Sequence, residues 1–145
     1  IVFTHRDPVA VIQSTVTMQA YTQRMQRPKV EIEGLRDYWV ARIEHLLQAA
    51  VRDRDLVPAE RSVDCVFHVF MADQWAMLEQ VYAKAGMALT PAARAELDRY
   101  IHDHPRGKGG QVVYDLRRDF GVDPARLYER FEFYTNRFPV KREVK

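Results

Sequence analysis

The groups best suited to handle a ligand lie at the start of the chain, where Arg6 and Ser14 stand eight positions apart around an Asp7-Pro8 pair. Asp7 is a good helix N-cap, and Pro8 suits the first helical position, where its missing N–H costs nothing. An apolar strand that breaks into a helix N-terminus is a common place to bind phosphate, because the first-turn N–H groups carry the positive end of the helix dipole. Arg6 lies just outside that turn and can add a forked, permanently charged donor, and Ser14, two turns on, can add a hydroxyl. The same residues admit a plainer arrangement, in which Arg6 pairs with a carboxylate elsewhere and Ser14 is an ordinary surface serine.

A second candidate is the segment His104-Pro105-Arg106-Gly107-Lys108-Gly109-Gly110. Its glycines let the backbone approach a ligand closely, and Arg106 and Lys108 supply charge, so the loop can wrap a phosphate. It is not a Walker A loop, since no Ser or Thr follows the lysine and no helix starts there. A basic, glycine-rich connector in solvent has the same composition. His102 and His104 are two positions apart and have no Cys or acidic ligand set beside them, so no metal site is expected.

These residues need elements to position them, and the pattern is that of a helix-rich α/β chain. An apolar strand at Ile1-Val2-Phe3 leads into a helix from about Pro8 to Gln26, with Val9, Ile12, Val16 and Ala20 on one face and Arg27-Pro28 ending it. A second helix runs from about Glu33 to Arg54 with Leu35, Trp39, Ile43, Leu46, Leu47 and Ala50 at helical spacing. The run from Ser62 to Val69 alternates and is β-branched, which predicts a strand. Further helices are expected over Asp73 to Ala85, stopped by Gly86, and from Pro91, capped by Thr90, to about His102. Residues 103–111 read as loop, and a last helix starts at Asp123-Pro124 and carries Leu127, Phe131, Tyr134 and Phe138. Trp39 and Trp75 read as core, His5 as a turn residue within reach of either a ligand or the backbone, and Arg52 to Asp55 as a solvated helix end.

At 145 residues, 47% hydrophobic and 29% charged, the chain can build one core without an internal linker or repeat. A net charge of +2 and a pI near 8.8 are too mild to argue for nucleic acid or a membrane surface. No apolar run approaches membrane-spanning length. The lone Cys65 excludes an intrachain disulfide framework and fits a reducing, cytoplasmic compartment. Because a run such as Ile1-Val2-Phe3 needs neighbours on both sides, the chain is expected to be a fragment.

The segment Thr4-His5-Arg6-Asp7-Pro8, with Ser14 eight positions after the arginine, resembles the 3′-phosphate-binding segment of sulfotransferases that use 3′-phosphoadenosine 5′-phosphosulfate (PAPS), in the form typical of their bacterial branch. The resemblance implies that Arg6 and Ser14 hold the 3′-phosphate of the nucleotide. It also implies that the loop holding Arg106, Gly107, Lys108 and Gly109 closes over the nucleotide, as the family's late Arg-Lys-Gly loop does. Tyr114, Asp115 and Asp119-Phe120-Gly121 follow in the family's order, although Gly107 separates the arginine from the lysine. Phe67 stands where the family has a tyrosine that contacts adenine, with His68 and Val69 in place of an acidic pair.

On this resemblance the fold is a partial P-loop-NTPase-like sulfotransferase fold, with parallel strands flanked by helices. Residues 1–145 are the C-terminal part of a single domain whose phosphosulfate-binding and catalytic segments lie upstream, so no catalytic residue is expected here and the piece alone is expected to be inactive. The implied co-substrate is PAPS without a metal, and the implied acceptor is a hydroxyl on a small molecule, lipid or carbohydrate. Neither nucleic acid nor an integral membrane segment is implied, and a homo-oligomer stays open through exposed sheet edges. Two other readings are a P-loop kinase-like enzyme and a non-enzymatic helical interaction module built on the amphipathic helices.

Overall fold

The computed structural model describes residues 1–105, 110 and 112–145. Strand β1 (Val2–His5) is followed by helices α1 (Pro8–Gln26) and α2 (Ile32–Asp53), which form the crossover to strand β2 (Val63–Val66). The strands pair in parallel, with Val2 opposite Val63 and His5 opposite Val66. Two short 3-10 turns, Arg54–Leu56 and Ala59–Arg61, precede β2, and helices α3 (Phe67–Ala72), α4 (Gln74–Lys84), α5 (Pro91–Asp103), α6 (Leu116–Phe120), α7 (Pro124–Arg130) and α8 (Glu132–Arg137) follow it. This is the helix-rich α/β arrangement the pattern predicts.

Helix starts follow side-chain chemistry. Asp7, Asp73, Thr90, Asp115 and Asp123 each accept a hydrogen bond from a first-turn N–H, which satisfies a donor that the helix itself cannot. Helix α6, which the periodicity did not reveal, is closed at its other end by Gly121 in the left-handed conformation at φ 64°. Its N–H bonds Arg117 O, and the next N–H, of Val122, bonds back to Leu116 O, a Schellman closure.

The core lies where α1 and α2 meet α6 and α7. Val9, Ile12, Val16 and Ala20 form the buried face of α1 as expected, facing Leu35, Val40 and Ile43 of α2 and Leu116, Phe120, Leu127 and Phe131. Leu46, expected in the core, is 66% exposed, and Val40 takes the buried position on α2 instead. Trp39 and Trp75 are only half-buried.

Two predicted boundaries need correction. The strand expected over residues 62–69 ends at Val66, so Phe67 opens α3 and is not a strand residue. The ladder ends with His5 opposite Val66, since β1 then turns into Asp7-Pro8, and the N–H groups that follow Phe67 are satisfied within a helix. The last helix is also two helices, divided at Phe131. That break keeps Leu127 and Phe131 in the core while Tyr134 and Phe138 turn towards His5, whose ring stacks on Phe138 at 3.9 Å.

Candidate anion site at the strand–helix turn

Asp7 organises the turn. Its carboxylate is 1% exposed and accepts three hydrogen bonds: Val9 N–H to Oδ1 at 2.9 Å, and to Oδ2 the Tyr128 hydroxyl at 2.7 Å and the Glu143 N–H at 2.6 Å. The Tyr128 hydroxyl also accepts from the Val144 N–H at 3.1 Å. Burial, reinforced by the bond to Asp7, pushes the Tyr128 phenol up to about 12. One buried carboxylate thus ties together the start of α1, helix α7 and the C-terminal strap of residues 139–145.

Two of the first-turn donors of α1 go to Asp7: Val9 N–H to Oδ1 and Val11 N–H to the Asp7 carbonyl at 3.0 Å, while Pro8 has no N–H. Arg6, Ala10 and Ser14 follow one another at intervals of four along one side of the turn and α1.

Arg6, Ser14, Gln13 and Tyr114 do line one cavity, of about 260 Å³, with Ala10, Glu143 and Val144. The structure therefore brings together the two residues that the sequence paired. It also realises the plainer arrangement of Arg6: Nε lies 2.9 and 3.1 Å from Glu143 Oε1 and Oε2, and Nη2 lies 2.6 Å from Oε2. This forked pair raises the Arg6 guanidinium above its ordinary value, chiefly through the hydrogen bonds to Glu143. On its other side the guanidinium lies 4.2 Å from the centre of the Phe67 ring. Phe67 lines a second, apolar cavity of about 580 Å³ with Phe70, Leu47, Val11 and Cys65, and Arg6 borders both. Arg106, Gly107, Lys108 and Gly109 lie outside the described residues.

His5, beside Arg6, belongs to a buried network. Its ring is 4% exposed, with Nε2 2.8 Å from Asp64 Oδ1 and Nδ1 2.9 Å from the Tyr134 hydroxyl. Asp64 is also gripped by Arg54, Nε to Oδ1 and Nη2 to Oδ2, each at 2.8 Å. Arg54 holds the Asp64 carboxyl below the usual carboxylate range, with His5 adding to the effect, so Asp64 is ionised at neutral pH and His5 Nε2 carries the proton shared with it. Burial pushes the Tyr134 phenol up to about 12.

Arg54 is therefore not part of a solvated helix end: it is 9% exposed and bonds Asp64, Ser62 and Val57. Arg54, Asp64, Tyr128, Tyr134 and Glu143 were all missed from sequence. The one available signal was the placement of Tyr134 on an apolar helical stripe, since a buried tyrosine needs a partner for its hydroxyl.

Among the described residues no three His, Cys, Asp or Glu side chains gather as a metal site, and no helix is long and apolar enough to cross a membrane.

The fold and the turn together define an α/β module with an arginine at a strand–helix junction, paired with a carboxylate beside a small cavity. Its fold is similar to the crystal structure of sulfotransferase STF9 from Mycobacterium avium, with a TM-score of 0.81 and 20% sequence identity over 99% of this chain and 37% of that one. No curated protein matches the sequence. Residues 1–91, more than half of the chain, match the model of the sulfotransferase family, and the chain belongs to that family. The matched residues contain Arg6, Ser14 and Phe67; the glycine-rich loop and Glu143 lie beyond them.

Proposed function

We propose that this chain is the nucleotide-holding, C-terminal part of a sulfotransferase domain that takes its sulfonate from PAPS and passes it to a hydroxyl of a small molecule, lipid or carbohydrate. Arg6 and Ser14 hold the 3′-phosphate, the loop from Arg106 to Gly109 closes over the nucleotide, and the Phe67 ring lies near the adenine. The observation that carries this reading is the shared cavity of Arg6 and Ser14, in a chain of the sulfotransferase family.

The fit of a phosphate to Arg6 has a direct analogue in the structure. Glu143 presents two oxygens to two guanidinium N–H groups, and a phosphate monoester offers the same two-oxygen edge with more charge. Arg6 binds and orients that edge, while the stack on Phe67 fixes the plane of the fork. When bound, the donor supplies the activated sulfonate. The groups that act on it lie in the remainder of the domain, in keeping with a chain that spans 37% of its structural neighbour. A cytoplasmic setting goes with the single unpaired Cys65.

The test is calorimetry on the full-length protein with adenosine 3′,5′-bisphosphate against adenosine 5′-monophosphate, repeated with Arg6→Ala. The bisphosphate is expected to bind more tightly by a factor that Arg6→Ala removes. Equal binding of the two nucleotides would overturn the assignment of the 3′-phosphate.

A further inference from the structure

Arg6 is already engaged, and its partner is an anion supplied by the chain itself. Glu143 comes from the strap after α8, far from the turn in sequence, and meets Arg6 with the forked geometry a phosphate would use. Its backbone is held independently of that contact: the Glu143 N–H bonds Asp7 Oδ2, and the next N–H, of Val144, bonds the Tyr128 hydroxyl. Arg142 adds a stack over the Tyr128 ring at 4.4 Å. The strap is therefore fixed by its main chain, and the Glu143 side chain can leave Arg6 by rotating about its own bonds. The pair lies at the mouth of the cavity, with 40% of the Arg6 side chain and 28% of that of Glu143 exposed, so water and solutes reach it.

We infer that Glu143 sets the affinity threshold of the anion site by competing for Arg6, so that an anion must bind Arg6 more strongly than a tethered carboxylate does before it occupies the site. This rests on the assignment of Arg6 to the 3′-phosphate. A singly charged group with two oxygens, such as a carboxylate or a phosphodiester, gives Arg6 nothing that Glu143 does not already give, and Glu143 has the advantage of being tethered. A phosphate monoester near neutral pH brings almost a second charge and a third oxygen, and Ser14, which Glu143 leaves free, can take that oxygen. The exchange swaps one ion pair for another and leaves Arg6 paired throughout. When the nucleotide departs, the carboxylate returns, which speeds release.

Removing the competitor raises affinity by the reciprocal of the fraction of time that Arg6 is free of it. For a partly exposed ion pair this corresponds to about twofold to sixfold tighter binding. The experiment measures the dissociation constants of adenosine 3′,5′-bisphosphate and adenosine 5′-monophosphate for the full-length protein, Glu143→Gln and Arg6→Ala. Glutamine keeps the length and the backbone N–H that bonds Asp7, and a thermal melt of the variant checks the fold. Tighter bisphosphate binding in Glu143→Gln, a slower off-rate and a wider preference over the monophosphate are expected. Unchanged or weaker bisphosphate binding in Glu143→Gln, with the preference of the unaltered protein intact, overturns the competition and leaves the 3′-phosphate assignment standing. Loss of any preference between the two nucleotides in both proteins overturns the assignment, and the competition with it.

Discussion

Replacing Asp7 with alanine removes three hydrogen bonds at a single carboxylate. The first is the N-cap of α1, and its loss costs about 1 kcal/mol. The second leaves the buried Tyr128 hydroxyl without its acceptor, but Val144 O stands 3.0 Å away and can take the proton, so this cost falls at the low end of the ~1–3 kcal/mol range for an orphaned group. The third frees the half-buried Glu143 N–H, worth about 1 kcal/mol. Asp7→Ala is therefore expected to lower stability by about 3 kcal/mol in urea unfolding followed by circular dichroism. Asp7→Asn separates the contributions. With its oxygen kept towards Val9 the cap survives, and the amide nitrogen can donate to the Tyr128 oxygen, but it meets the Glu143 N–H donor to donor. That variant should lose about 1–2 kcal/mol, and amide exchange at Glu143 should accelerate in both variants. A loss below about 1 kcal/mol for Asp7→Ala, with Glu143 exchange unchanged, would refute the view that this carboxylate joins helix and strap.

Two other perturbations probe other parts of the structure. The Asp64 carboxyl lies below the usual carboxylate range in the folded chain, so its contribution is complete above that range and is lost as pH falls through the lowered folded value. Asp64→Asn should accordingly flatten the loss of stability on acidification, as read by urea midpoints measured at successive pH values, with the effect reduced because Asp64 is 40% exposed. Gly121→Ala forces a side chain into a left-handed backbone and should cost about 1–2 kcal/mol by the same unfolding assay, although its Cβ meets nothing closer than an Arg36 nitrogen at 3.9 Å.

How much was legible in the sequence depended on the distance between partners. The start of α1, the caps at Thr90 and Asp123 and the buried face of α1 rest on residues within a few positions of one another, and all of these stand as read. Strand β2 was drawn too long because β-branched alternation from Ser62 to Val69 continues past the point where β1 stops offering a partner. Arg6 and Ser14 could be placed together because two helical turns fix their relation. Glu143 could not, because the strap reaches Arg6 only through the packing of α7 and α8. Arg54 was hidden for a related reason: in an Arg-Asp-Arg-Asp run nothing local shows that one arginine turns inward to a carboxylate ten positions away.

The latch at Asp7 also sets an order of events. Its hydrogen bonds to Tyr128 and Glu143 span 121 and 136 positions, and His5 meets Tyr134 across 129. Because synthesis runs from N-terminus to C-terminus, β1, α1 and α2 can associate early, while the turn that carries Arg6 must wait for α7, α8 and the strap before its surroundings exist. A chain under synthesis therefore carries Arg6 long before it carries Tyr114, Glu143 and Val144, which line the cavity beside it.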